Sequence, residues 1–395
     1  MLSPELHRTR AQAPEDDPPP PYYSRRDRGP SPFFHGREEV RNRFATVLSD
    51  TIGTMRGTTF LIQGPPGAGK SALLDKLCEE AEGWEAATIG SQELYNPAVL
   101  AQSMDRDCVL NREAAAKIGI KFLEAGVAEQ VAGHASPKEI LRHLAPESGL
   151  ILMLDEAQKM KNLSQNRSVA IDTLDAIHNG ELGKPVVLLT AGLGTSEDVY
   201  KSLDVSWFAS GCTEQLGRLN KEAEEAVIHD WLMKAGGATG DPSAWINAIA
   251  SRTHGWPQHI ISYTDPANEY LKANQGCMTD EGLQLTLKKG EQERVLYYEA
   301  RVKGISKRKR QVLARIFAHL PLDSCMEEED LIDALKEEYT HEEAEKLFED
   351  LLARGVLAER PEGDYGIPIP SFHTWLVNEY AKDSGKGGGS FAMER

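Results

Sequence analysis

Cysteine is sparse and unpatterned in this chain. Its five cysteines, Cys78, Cys108, Cys212, Cys277 and Cys325, are odd in number and lack any C-x-x-C spacing. That rules against a disulfide framework or a zinc site read from sequence, and a reducing cytoplasm is the simplest setting. Long apolar runs are missing too. The longest, such as LILML, are far too short to cross a bilayer, and the opening MLSPELHRTRAQAPEDD has no signal-peptide core. Positive charge is short: Lys and Arg number 44 against 61 Asp and Glu, a net charge of −17 that repels polyanions at long range. Any nucleic-acid contact therefore needs a local basic patch. The histidines show no metal-ligand spacing, no Ser-His-Asp or Cys-His arrangement can be argued from residue order, and no internal repeat is visible.

What is present is an ordinary globular composition, 27% charged and 40% hydrophobic, in 395 residues, long enough for two or three domains. Residues 1–31 contain APEDDPPPPYYSRRDRGPSP and predict a flexible arm, although PPPPYY also has the composition of a polyproline II docking segment. Residues 382–395, KDSGKGGGSFAMER, predict a loose tail. Between them, TTFLIQ, LILMLDE and PVVLLTAG are short apolar runs separated by helical patterns, which predicts a parallel sheet with helices on both faces over residues 32–218. From Leu219 the strand signals stop. LNKEAEEAVIHDWLMKAGG places Ala223, Val227, Trp231 and Leu232 at helical spacing, so residues 219–301 read as a helical lid. Residues 302–381 read as a winged helix: three helical patterns, then GVLAER, a PEGD turn, DYGIPIP and a closing helix. In the third helix, Ala344, Leu347, Phe348, Leu351 and Leu352 form one apolar stripe that Gly355 ends.

GPPGAGKS, from Gly64 through Pro65, Pro66, Gly67, Ala68, Gly69 and Lys70 to Ser71, matches G-x-x-x-x-G-K-[ST] in full. A strand precedes it, and a helix starts near Lys70 and continues through Ala72. Its glycines let successive backbone amides fold around phosphates, and the helix adds the positive end of its dipole. In that reading Lys70 reaches the β- and γ-phosphates and Ser71 ligates magnesium; the bland alternative is a chance glycine turn. GLILMLDEAQ supplies the acidic half: Asp155, at the tip of a buried strand, completes the magnesium shell, and Glu156 orients or deprotonates the attacking water. A solvated strand exit would look similar. Thr190, ending a third strand, either hydrogen-bonds the γ-phosphate or its water, or caps backbone.

Together these elements resemble the AAA+ ATPases and their signal-transducing STAND relatives, particularly the origin-recognition-like branch, from about Phe33 to Tyr263. FFHGREEVRNRF resembles the family's F-x-G-R-E-x-E box, which implies that Gly36 and Arg37 contact the adenine side. THGWPQHII resembles the STAND G-x-P turn at Gly255, Trp256 and Pro257, which implies that Pro257 packs against the base. The resemblance implies ATP and Mg2+ as ligands, and a winged helix that packs on the ATPase core and locks the ADP state.

Two departures bear on nucleotide sensing through the lid and on rate, respectively. After the G-x-P turn come Gln258 and His259, where many AAA+ lids place an arginine, and no arginine lies between Arg167 and Arg218, the interval that normally offers a finger to a neighbouring subunit. Such a finger contributes about 10³ to 10⁵ in rate. Turnover is therefore expected to be slow unless Arg167, Arg218, Arg252 or a partner supplies the charge. The long interval before Asp155 contains LNREAAAKIGIKFLEAGVAEQVAGHASP, readable as a partner-binding insertion or as an ordinary crossover.

The favoured function is an ATP-hydrolysing regulatory switch controlling partner binding or self-assembly. The alternative is a DNA-associated AAA+ ATPase resembling origin-recognition or transposition helper proteins. For it speaks the basic KGISKRKR, Lys303 to Arg310; against it speaks the third helix of the winged domain, with Glu342, Glu343, Glu345, Glu349 and Asp350. A small-molecule phosphotransferase fits the helical lid and winged helix poorly.

Overall fold

The computed structural model describes residues 32–108, 115, 117–118, 120–122, 128–130, 135–163, 166–194, 196–203, 212–360 and 363–381. The expected arm and tail lie outside the described residues. The strands of the first half are β1 (Thr59–Gln63), β2 (Glu85–Ile89), β3 (Ile120–Phe122), β4 (Ala128–Gln130), β5 (Leu150–Asp155), β6 (Val186–Gly192) and β7 (Thr213–Gln215). Five of them form one parallel sheet in the order β2-β5-β6-β1-β7. β1 and β6 are buried along their whole length, which is why they read as unbroken apolar runs. The chain leaves β1 for β2 at the far edge and later returns to β7 on the other side of β1. Connections therefore diverge above the C-terminal end of β1, where such sheets open a crevice for ligands.

Helices α1 (Glu38–Thr54) and α2 (Lys70–Glu80) cover one face, packing Phe44, Leu48, Leu73, Leu74 and Leu77 with Phe60, Ile62, Ile151, Val187 and Leu189. Helices α3 (Pro97–Asp107), α4 (Pro137–Leu144), α5 (Arg167–His178) and α6 (Ser196–Ser202) cover the other, around Leu61, Leu152, Leu154 and Leu188. Part of the long interval before Asp155 forms an antiparallel ribbon of β3 with β4. Strands of three residues are too short to show a period, so sequence pattern alone missed it.

The lid comprises α7 (Lys221–Asp230), continued by a π-helical turn (Trp231–Ala235), then α8 (Ser243–Thr253), α9 (Pro257–Ala273) and α10 (Asp280–Arg301). Its core is built from Trp231, Trp245, Ile249, Ile260, Tyr263 and Leu271, and Phe33 from the start of the chain packs edge-on against Trp231 at 5.1 Å. The α8–α9 corner depends on Gly255 (φ 77°), whose N–H donates to the Glu224 carboxylate at 2.5 Å. A Cβ there would lie 2.4 Å from the carbonyl oxygen of Leu219. Gly237 has a similar φ of 66° but nothing within 4 Å of an added Cβ. Gly255→Ala is expected to destabilise the protein by about 3 kcal/mol, and Gly237→Ala by about 1 kcal/mol from backbone strain alone. Thermal unfolding reads both; equal losses would contradict the packing argument.

The last unit follows the expected winged-helix order: α11 (Lys307–Ala318), α12 (Glu328–Lys336), α13 (His341–Ala353), the antiparallel hairpin β8 (Ala358–Glu359) and β9 (Tyr365–Gly366), and α14 (Pro370–Tyr380). Thr340 and Glu343 form a capping box at the start of α13. Ala344, Leu347, Phe348 and Leu351 are buried, Leu352 half-buried, and Gly355 (φ 63°) follows the helix. Through Trp256, Tyr298 and Val302 this core is continuous with the α1–α2 face of the sheet.

Candidate nucleotide site

The loop after β1 turns at Gly67 and Gly69, with φ of 82° and 90°, and α2 begins at Lys70. The Lys70 ammonium donates to the carbonyls of Gly64 at 2.7 Å and Pro65 at 3.1 Å. Burial lowers its pKa from 10.5 to about 8; the Asp155 charge opposes this, while Arg301 pushes it further down. Ser71 Oγ donates to Asp155 Oδ2 at 2.6 Å, and Asp155 Oδ1 accepts the Glu156 N–H at 2.8 Å. Glu156 sits in the left-handed region (φ 61°) with its exposed carboxylate paired to Lys159.

The donor set suits magnesium. A hydroxyl and one carboxylate, both hard oxygen donors, already converge, and magnesium commonly takes one or two carboxylates and leaves its other positions to phosphate and water. Among the described residues no cluster of three or more His, Cys, Asp or Glu offers an all-protein cage.

Thr190 is placed elsewhere. Strand alternation puts it on the face of Val186 and Leu188, opposite α2, and its fully buried hydroxyl lies beside Tyr200 on α6. The residue beside Asp155 on β6 is Ala191. The structure therefore does not bring Thr190 to the Ser71–Asp155 pair.

A cavity of 370 Å³ lies between the loop and the lid. Gly67 to Leu73 supply its polar lining, and Phe34, Leu219, Val227, Trp231 and Ile261 much of its apolar lining. That volume and division of polarity suit a ligand with a flat apolar part and an anionic tail. Pro257 lines the cavity as the first residue of α9. Arg37 lines it as well, but its guanidinium donates to the carbonyls of Gly217 and Arg218, and burial lowers its pKa. Gly36 is not among the lining residues; its φ of 83° and the nearness of Ala223, 2.9 Å from an added Cβ, make it a packing requirement against α7. Gly64 and Pro65 instead line a second cavity of 490 Å³ shared with the lid and winged helix.

Of the three arginines considered as fingers, Arg167 donates to the Ser202 carbonyl, Arg218 lines the larger cavity, and Arg252 lies on α8, its carbonyl accepting from Arg294 at 2.8 Å. Arg301, the last residue of α10, reaches the phosphate loop and donates to the Pro66 carbonyl at 2.8 Å. Tyr297 donates to the same oxygen at 2.8 Å. Sequence reading missed both, because nothing local marks a Tyr and an Arg four residues apart as loop contacts. His259 is buried and neutral, its pKa pushed down to about 3 by burial and by Arg294 and Arg301. It faces the Tyr298 hydroxyl at 3.2 Å, which donates to Ser371 Oγ at 2.7 Å, stitching the lid to α14.

The depressed Lys70 pKa has a pH signature. Between about 8 and 10.5 the folded protein binds fewer protons at Lys70 than the unfolded chain, so stability rises with pH through that window and the full desolvation cost is present below it. Phosphate binding has the opposite dependence, because it needs the ammonium. Nucleotide affinity should be flat below pH 8 and weaken by roughly tenfold per unit above it. A titration series that stays flat to pH 10 would contradict this assignment.

No protein-family model matches the chain, and no curated protein matches it. Solved structures do. The Walker-type ATPase PABY2304 of Pyrococcus abyssi superposes with a TM-score of 0.60 at 16% identity, covering 89% of this chain and 99% of that one. The ORC2 protein of Aeropyrum pernix, solved as ADPNP–ADP complexes, superposes with a TM-score of 0.51 at 12% identity, covering 90% of this chain and 96% of that one. The chain thus shares the overall fold of these two solved proteins over about nine-tenths of its length. No helix among the described residues is long and apolar enough to cross a membrane.

Proposed function

We propose that the chain is a magnesium-dependent ATPase of slow turnover that acts as a STAND-type regulatory switch in the cytoplasm. Its working parts are a core over residues 32–218, a lid over 219–301 and a winged helix over 302–381. Lys70 holds the β- and γ-phosphates, Ser71 and Asp155 hold the metal, Glu156 positions the attacking water, and Pro257 meets the base. Bound magnesium would supply neutralisation of developing phosphate charge; the loop amides and Lys70 bind and orient, and the lid excludes water.

One observation carries the switch reading: the winged helix rests on the phosphate loop itself, with Gly355 so near that an added Cβ would lie 2.5 Å from Pro66 Cδ. A change in the loop must therefore be felt by the winged helix. Of the basic run at the start of α11, Lys303, Lys307 and Arg308 are exposed and Lys309 is half-buried, but its two arginines are engaged within the domain. Arg310 donates to the carbonyls of Val302 and Ile305 and to the Tyr380 hydroxyl, and Arg308 pairs with Glu338 at 3.3 Å. Particle mass and radius of the full chain with ADP and with a slowly hydrolysed ATP analogue test the reading. Different values are expected, with little effect of added DNA; identical values in both nucleotides would remove its basis.

A further inference from the structure

Three segments meet at one guanidinium. Arg301 Nη2 donates to the Pro66 carbonyl at 2.8 Å and Nη1 to the Gly355 carbonyl at 3.1 Å. Tyr297, one turn earlier on α10, lies under the same guanidinium at 4.7 Å, and its hydroxyl accepts from Nη2 while donating to Pro66. Pro66 belongs to the phosphate loop and Gly355 to the winged helix, 289 residues further along the chain. The contact is thus a joint between nucleotide site and effector domain.

The carbonyls of Gly64, Pro65 and Pro66 are consecutive, and two cations hold them: Lys70 the first two, Arg301 the third. Arg301 Nε is buried and has no acceptor among the described residues. A polyphosphate entering the loop brings stronger acceptors than a carbonyl, because an anionic oxygen adds a full charge–charge attraction to the guanidinium that a neutral carbonyl lacks. The guanidinium presents its donors in one rigid plane. Turning Nε toward an anion therefore swings Nη1 and Nη2 off both carbonyls in one movement.

We infer that Arg301 is a nucleotide-reading latch, which clamps the phosphate loop to the winged helix through Pro66 and Gly355 and releases the winged helix when a nucleoside triphosphate draws the guanidinium away. The inference rests on the switch reading and names its coupling residue. Arg301 acts as a positioning residue for the winged helix, and the feature that separates it from a passive strut is coupling: a strut stabilises docking equally in every nucleotide state, a latch unequally.

The test uses the full chain as wild type, Arg301→Gln and Tyr297→Phe. Small-angle scattering reads the radius of gyration with ADP and with the ATP analogue, and a fluorescent ADP reports dissociation. In wild type the radius should be larger with the triphosphate. Arg301→Gln should erase most of that difference, leaving the larger radius in both states, and speed ADP release by roughly tenfold to a hundredfold, as expected for losing two charged hydrogen bonds. Tyr297→Phe, which keeps the ring, should fall between and guards against misfolding of the first variant. A wild type that responds to nucleotide beside variants that respond equally would overturn the latch and leave the switch standing. A wild type that does not respond would overturn both.

Discussion

Lys70→Ala is expected to abolish ATP turnover and to weaken nucleotide binding by about 10² to 10⁴, the loss of two charge-assisted contacts to phosphate. The same substitution should leave the fold intact. Lys70 is a desolvated cation held by two loop carbonyls, its pKa pulled down to about 8, so the nucleotide-free protein bears a cost for keeping it charged. Removing the charge removes that cost and leaves the Gly64 and Pro65 carbonyls beside a cavity that admits water. The thermal midpoint without nucleotide should therefore be unchanged or higher, while stabilisation by added nucleotide disappears. A midpoint that falls by many degrees without nucleotide would mean that Lys70 is a structural lysine.

Glu156→Gln should separate binding from hydrolysis. The residue follows Asp155 in a left-handed conformation, and its carboxylate is exposed, not folded into the core. Glutamine preserves size and hydrogen bonding but cannot take a proton, so turnover should drop by about 10² to 10⁴ with nucleotide affinity within about threefold of wild type. The trapped triphosphate should hold the protein in the form with the larger radius. Should affinity fall together with turnover, Glu156 would be holding metal or phosphate, and its role would merge with that of Asp155. The pairing with Lys159 predicts a second observable: Lys159→Ala frees the carboxylate and should change turnover far less than Glu156→Gln.

Legibility followed distance along the chain. The phosphate loop is eight consecutive residues, Gly64 to Ser71, between a strand and a helix, and Asp155 closes an apolar strand; both are local patterns. The sequence does not show which face Thr190 takes, because β6 is buried on both faces. An unbroken apolar run hides the alternation that tells one face from the other, and only the pairing with β5 shows that Ala191, not Thr190, neighbours Asp155. The sequence reads Gly36 as a contact on the adenine side, yet its conformation serves the packing of the segment before α1 against α7. Arg301 and Tyr297 had no local signal at all, since their partner Pro66 lies 235 and 231 residues away. The lid arginine sought after Pro257 is absent from that turn, and the cation on the loop comes from the far end of α10.

The central claim is that the loop at Lys70 and the acid at Asp155 form one magnesium-nucleotide site. Manganese, substituted for magnesium in a crystal grown with ADP, measures this directly through its anomalous scattering. One strong peak is expected, bonded to Ser71 Oγ and in contact with Asp155 or its water shell, with the diphosphate wrapped by Gly67 to Ser71. A peak elsewhere, or a diphosphate bound away from that loop, would contradict it.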